Sequence, residues 1–248
     1  MSAVVYMRNL EFSYKNMQVL KGVNLSLYTG KMILICGSSG QGKSTLLRLL
    51  LGLEKPKSGM IKIFDKDIKE LSEEEFNKLK SRIGTVFQNS ALISTKTVEG
   101  NLELPLIYHN LADREEIEKR VNNTLEMLLI KEYRHKFPAE LSLGLQKRTA
   151  MARAIITRPD LIIMDEPTSG LDSISKGLLM ALIENVRMVH NVSMIISSND
   201  LVFAREMKAD IGVLKDGELL EPMKYNQLKN SPDSFVQALL REMQEVQT

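Results

Sequence analysis

Gly37-Ser38-Ser39-Gly40-Gln41-Gly42-Lys43-Ser44-Thr45 is the stretch that decides the fold. It fits the spacing G-x-x-x-x-G-K-[ST], whose fixed positions match by chance about once per hundred chains of this length. Its surroundings sharpen the reading. Residues 31–36 before it are aliphatic and β-branched, as in a strand, and residues 43–50 after it have the pattern of a helix. Small residues let consecutive backbone N–H groups converge on a phosphate, and the helix adds the positive end of its dipole. In such a loop Lys43 reaches the β and γ phosphates, and Ser44 offers its hydroxyl to Mg²⁺.

Working outward, residues 19–27 and 60–64 also read as strands, the second turning at Asp65-Lys66-Asp67. Ser72 with Glu75 is a capping box that opens a short helix towards Lys80. From Thr97 to about Ile156 the pattern is mostly helical. Asp113 with Glu116 repeats the cap, and Ile117, Val121, Leu125 and Leu128 fall on one apolar face. Strand signals resume at 161–164 and 192–197, residues 213–220 read as a hairpin around Lys215-Asp216-Gly217, and a last amphipathic helix runs from Ser234 towards Val246. The helical block is thus an insertion within an α/β domain.

Leu161-Ile162-Ile163-Met164 ends at Asp165-Glu166. An aspartate at such a strand end can hold hydrated Mg²⁺, and the adjacent glutamate can polarise a water for attack on the γ phosphate. Composition narrows the alternatives. The 33 basic and 31 acidic side chains among 248 residues give a net charge of +2, without the basic excess of a general nucleic-acid binder. The single cysteine, Cys36, excludes an internal disulfide and a cysteine-built zinc site; it reads as a small buried strand residue. The apolar runs are far shorter than the about 20 residues of a membrane span. The expectation is a soluble cytoplasmic protein that meets any membrane through a partner.

At this point the chain resembles the ATP-binding subunit of an ABC transporter over nearly its whole length. Tyr14 sits where that family has an aromatic stacking on adenine. Gln88 matches the glutamine that touches Mg²⁺ and water at the hinge to the helical subdomain. Ser169-Gly170-Leu171-Asp172 matches the D-loop. Leu141-Ser142-Leu143-Gly144-Leu145-Gln146 aligns with the signature LSGGQ, followed by Arg148 and Met151-Ala152-Arg153-Ala154. The resemblance implies a P-loop NTPase core of ABC type over 1–88 and 158–222, with a small antiparallel β subdomain. It further implies a helical subdomain over 89–157 and a helical tail over 223–248. ATP and Mg²⁺ are the implied cofactors. The implied partners are a second ATPase subunit, as a homodimer, and an integral permease at the cytoplasmic face of the bacterial inner membrane; nucleic acid is not among them.

The chain departs from that family at two places. Leu143 and Leu145 replace a glycine and a glutamine of the signature, whereas Ser142 and Gly144 resemble the pair that reaches a partner's γ phosphate. The family's glutamine lies near the ribose, so its loss is expected to cost affinity. Asn199, in Ser197-Ser198-Asn199-Asp200, replaces the switch histidine of T-H-D. An amide donates a hydrogen bond but cannot take up a proton, so slow hydrolysis is expected, with Glu166 as base.

Val86-Phe87-Gln88-Asn89-Ser90-Ala91-Leu92, Thr97-Val98-Glu99-Gly100-Asn101-Leu102 and Leu104-Pro105-Leu106 are similar to ATPases of the Mla type. Those act with Mce-domain proteins in phospholipid traffic, and the segment 231–236 resembles their C-terminal part. Cell-division and lipoprotein-release ATPases share much of the pattern. A soluble ATPase acting on DNA or ribosomes, and a nucleotide-binding module without turnover, are the readings from other classes.

Overall fold

A computed structural model describes residues 3–245. Residues up to 72, together with those from 193 on, form one compact unit, and residues 73–192 form the other. In chain order the first stretch holds β1 (Ala3–Tyr14), β2 (Met17–Tyr28), β3 (Met32–Cys36), α1 (Lys43–Leu50), β4 (Ser58–Ile63) and β5 (Lys66–Asp67). The second unit holds α2 (Glu73–Lys80), β6 (Ile83–Val86), α3 (Val98–Tyr108), α4 (Arg114–Met127), α5 (Leu143–Ile155), β7 (Leu161–Asp165) and α6 (Ser173–His190). The chain then returns to the first unit with β8 (Ser193–Ser197), α7 (Leu201–Glu206), β9 (Asp210–Lys215), β10 (Glu218–Leu219), α8 (Tyr225–Lys229) and α9 (Ser234–Glu245). The expected end of the last helix, Val246, lies outside the described residues.

Two kinds of sheet meet in the first unit. An antiparallel sheet of order β2-β1-β4-β5 buries Val5, Met7 and Leu10 against Leu20, Val23 and Leu25. This is the expected small antiparallel subdomain, and β1, equal in length to β2, gives no clear strand signal in the sequence. The register slips between Met7 and Leu10, where Asn9 takes a left-handed φ of 48°, and such a bulge breaks the alternation that marks a strand. The other kind is parallel. β3 pairs with β8 on one side and β9 on the other, and all five of its residues are buried. Burial on both faces explains why it reads as an unbroken apolar run. Parallel strands flanking β3 leave the loop after Cys36 at their C-terminal ends, where α/β sheets bind ligands.

In the second unit β6 and β7 pair in parallel from Ile83–Leu161 to Val86–Met164. Four-residue β6, short and interrupted by Gly84, likewise gives no strand signal in the sequence. That glycine has a packing reason: a Cβ there would lie 2.3 Å from the Ala154 carbonyl oxygen. Only glycine lets α5 approach β6 so closely. The helices begin where their caps predict. The Thr97 hydroxyl accepts from Gly100 N at 3.2 Å, and Asp113 Oδ1 accepts from Glu116 N at 2.9 Å. Val121, Leu125 and Leu128 are buried along the expected face of α4, with Ile117 half-buried at its start.

Candidate nucleotide site

The glycine loop in the first unit is shaped by conformations closed to other residues. Gly40 and Gly42 have φ of 82° and 99°. At Gly37, φ is 152°, and a Cβ would sit 2.4 Å from the Leu214 carbonyl oxygen. Gly42 serves as the left-handed N-cap of α1 and makes no side-chain cap hydrogen bond. Lys43 is buried, and its ammonium folds back to donate to Gly37 O at 2.7 Å and Ser38 O at 3.2 Å. Gln41 Oε1 accepts from Asp216 N at 2.7 Å and so fixes the loop to the β9–β10 turn. Ser38 and Ser44 are half-buried and Ser39 is exposed, whereas Thr45 is buried in the first turn of α1.

Asn199 belongs to the same neighbourhood. Ile35 of β3 is in register with Ser197 of β8, and Ser198 N donates to Ile35 O at 3.1 Å. The chain therefore leaves β8 at the end of the sheet from which the glycine loop leaves β3. Asn199 is exposed there, and Asp200 behind it caps α7 through Val202 N and Phe203 N. Tyr14 ends β1 with its ring partly exposed. It packs edge-on against Phe12 at 4.7 Å, and its hydroxyl donates to Glu54 Oε1 at 3.3 Å. A ring so held is available for stacking on one face.

The second unit supplies the acids. Asp165 closes β7 and Glu166 follows it, both half-buried. Glu166 takes a left-handed φ of 44°, a conformation that costs a non-glycine residue about 1–3 kcal/mol and clusters at functional sites. Its carbonyl accepts from Ser169 N at 3.2 Å and Ser169 Oγ at 2.9 Å. Gln88, two residues beyond β6, is exposed. Since β6 and β7 are in register, Gln88 and the acidic pair leave the same end of one strand pair. Asp172 caps α6, accepting from Ser175 N and Ser175 Oγ, and those bonds hold its carboxyl below the usual carboxylate range.

The signature segment divides in two. Ser142 is the exposed N-cap of α5, its hydroxyl accepting from Leu145 N at 3.4 Å, and Gly144 is half-buried in the first turn. Leu143 is exposed and leans over the D-loop, where a Cβ on Gly170 would meet its Cδ2 at 3.0 Å. Leu145 instead turns inward and is buried. Any effect of that replacement on affinity would therefore act through the seating of α5, and not through a side chain offered to a ribose. Lys147, which the sequence did not single out, is fully buried; its ammonium donates to Gln88 O and lies 3.4 Å from Glu166 O. Its position between Gln146 and Arg148 gives no sign of that burial.

These residues fit a magnesium-bound nucleotide. Left-handed glycines give the loop its shape, a Cβ at Gly37 or Gly42 would drive it into Leu214 or Val19, Lys43 is buried in the first turn of α1, and Ser44 next to it is half-buried. A loop of this geometry with its buried lysine marks the class of phosphate-loop nucleoside triphosphatases. Residues 20–169, more than half of the sequence, match the family described as ABC transporter, and the chain belongs to that family. It is 34% identical over 233 residues to "Methionine import ATP-binding protein MetN 1" of Bacillus thuringiensis subsp. konkukian, covering 92% of this chain and 68% of that protein. MetN 2 of Paraburkholderia xenovorans is 38% identical over 202 residues, covering 82% of this chain and 52% of that protein.

Solved structures agree. A dimeric post-hydrolysis state of the ATP-binding cassette MJ0796, bound to ADP and Pi, superposes with a TM-score of 0.82 at 34% identity, covering 89% of this chain and 98% of that one. CbiO1 from Clostridium perfringens, part of the ABC transporter complex cbiONQ, gives 0.84 at 28% identity, covering 97% and 96%. The chain is an ABC-type ATP-binding subunit and ATPase, and its family uses ATP with Mg²⁺.

Proposed function

We propose that this chain is the motor of a membrane transport complex, in which two ATPase subunits close on ATP and drive an integral permease. The observation that supports it most is the glycine loop between buried β3 and α1, joined in one chain to an acidic pair ending a second parallel strand pair. In this reading the main chain of Gly37 to Thr45 and the Lys43 ammonium hold the β and γ phosphates, and Tyr14 stacks on the adenine. Ser44, Gln88 and Asp165 hold Mg²⁺, which when bound neutralises phosphate charge. Glu166 takes a proton from the attacking water, and Asn199 donates a hydrogen bond beside the γ phosphate. Ser142 and Gly144 address the partner subunit's nucleotide. The helical subdomain over 89–157, between core segments 1–88 and 158–222 with a tail from 223, belongs to the same proposal.

No helix of the described residues is long and apolar enough to cross a membrane. Attachment is therefore proposed through the permease, at the cytoplasmic face of the bacterial inner membrane. Two cargo classes have support. The relatives named as methionine import proteins favour a small amino acid. The runs 86–92 and 97–106 favour the phospholipid and Mce-domain reading. The comparisons do not favour that second reading, and it rests on residue pattern alone.

The motor reading is tested with Glu166→Gln in the reconstituted complex. Turnover should fall about 10²- to 10⁴-fold with ATP binding retained, and the variant should accumulate as an ATP-bound dimer on size-exclusion chromatography. Parent-level turnover would place the base elsewhere. Affinity purification from native membranes then reads the cargo class from the integral subunit. A cell-division permease would overturn both cargo readings and leave the motor intact.

A further inference from the structure

Three cations of α5 are turned towards main-chain carbonyls. Arg148 donates to Leu129 O at 2.9 Å, and Arg153 donates to Ser90 O at 3.0 Å and Ala91 O at 2.8 Å. Lys147 goes deepest, with 1% of its surface exposed and its ammonium on Gln88 O, 3.4 Å from Glu166 O. The receiving backbone is strained: Leu129, Ser90, Ala91 and Glu166 all have φ between 44° and 62°. Conformations of that kind persist where surrounding contacts over-determine them. Here the contacts come largely from one helix.

We propose that Lys147 is a positioning residue for hydrolysis, a buried cationic pin that joins the signature helix to the main chain of both Gln88 and Glu166. The inference rests on the reading of Glu166 as the base. Lysine is almost never fully buried without a partner, because removing an ammonium from water is costly. An apolar side chain would fill the space more cheaply, so packing is a poor account of it. An ammonium has three donors, which suits it to bridging carbonyls on separate segments. On Glu166 O it joins the two donors of Ser169, so the 166–167 peptide is held in orientation from two sides. That peptide turns about the Cα–C bond of Glu166, next to the bond by which the side chain leaves, so its orientation bears directly on the base. The second attachment fixes the backbone at Gln88 while its side chain stays exposed.

The approach that makes this possible is the contact of α5 with β6 at Gly84. Ser142 and Leu143 lie exposed at the start of the same helix. A displacement of α5 by a partner's nucleotide at Ser142 and Gly144 therefore reaches Gln88 and Glu166 through one side chain. The nucleotide bound in the partner's loop and the hydrolytic groups of this subunit become coupled.

The test measures kcat and KM for ATP in the reconstituted complex for Lys147→Met, Lys147→Gln and the double variant with Glu166→Gln. Misplacement of a reacting group by about 1 Å costs on the order of 10²-fold, so Lys147→Met should lower kcat by at least about 10-fold. KM should stay at the parent value, because the phosphate loop in the other unit keeps its own contacts. Lys147→Gln, with a shorter neutral donor, should recover part of the loss. The double variant should lose less than the product of the two single losses, since both changes act on Glu166. Unchanged kcat in Lys147→Met, or losses that multiply in the double variant, would overturn the proposal. If Lys147→Met does not fold, Lys147→Gln alone and combined with Glu166→Gln decides by the same two criteria. Parent-level turnover in Glu166→Gln by itself would unseat the base instead, so the two failures are distinguishable.

Discussion

Replacing Gly42 by alanine adds one methyl group at a tightly constrained point of the phosphate loop. The residue has φ 99° and ψ 11°, and a Cβ there would lie 2.7 Å from Val19 Cγ1 and 3.3 Å from Leu20 Cδ2. Two costs combine. Holding alanine in that backbone conformation costs about 1–3 kcal/mol. Forcing the methyl against a β-branched neighbour costs about 1–3 kcal/mol more, because valine has little rotamer freedom with which to yield. The lower bounds sum to about 2 kcal/mol, or roughly 30-fold in an equilibrium constant. A loop that relaxes when free must be re-strained on binding, and the cost then appears as lost ATP affinity. A loop held equally in both states shows the cost as a lower melting temperature instead. Titration with a fluorescent ATP analogue and a thermal melt on the same preparation capture both. Parent-like affinity together with a parent-like melting temperature would refute the claim that Gly42 is required for its geometry.

The remaining predictions concern the switch position and acid stability. Asn199→His should raise steady-state turnover in the reconstituted complex. The gain should be smaller than the about 10²-fold available to a well-placed donor, because the altered signature remains; an unchanged or lower rate would clear Asn199 as the brake. Glu99 accepts a hydrogen bond from Arg134, which holds its carboxyl below the usual range, while Glu99 N donates to Arg134 O at 3.0 Å. A depressed folded pKa contributes stability above the unfolded value of about 4.3, lost as pH falls through the folded one. Glu99→Gln should therefore be less stable than the parent at neutral pH by about 1–2 kcal/mol, with the gap closing as pH drops below about 4. A gap independent of pH would show that the ion pair is not its source.

The parts of this molecule that were legible beforehand are those where one local pattern does one job. β3, the glycine loop and α1 follow from a buried apolar run, small residues and a helical repeat. The cap at Asp113 and the hairpin at Asp216-Gly217 follow from side chains that serve their own neighbourhood. β1 was hidden because its register slips within the strand, and β6 because four residues with a glycine give no period. Lys147 was hidden for a different reason. Its environment is made by α5 seated on Gly84 and by carbonyls from two segments distant in the chain, and no spacing in the sequence encodes that. Leu145 shows the same limit from the other side, since a signature alignment does not say which of its residues turn inward.

The sole thiol has a practical consequence. Cys36 is the last residue of β3, fully buried and in parallel register with Val213, directly before Gly37. An alkylating reagent can reach it only when the strand end and the loop part from their neighbours, so its labelling reports that opening. The protein thus has a native stopwatch at the base of its phosphate loop, readable by mass spectrometry without introducing a label. Any ligand that stiffens the loop must slow it.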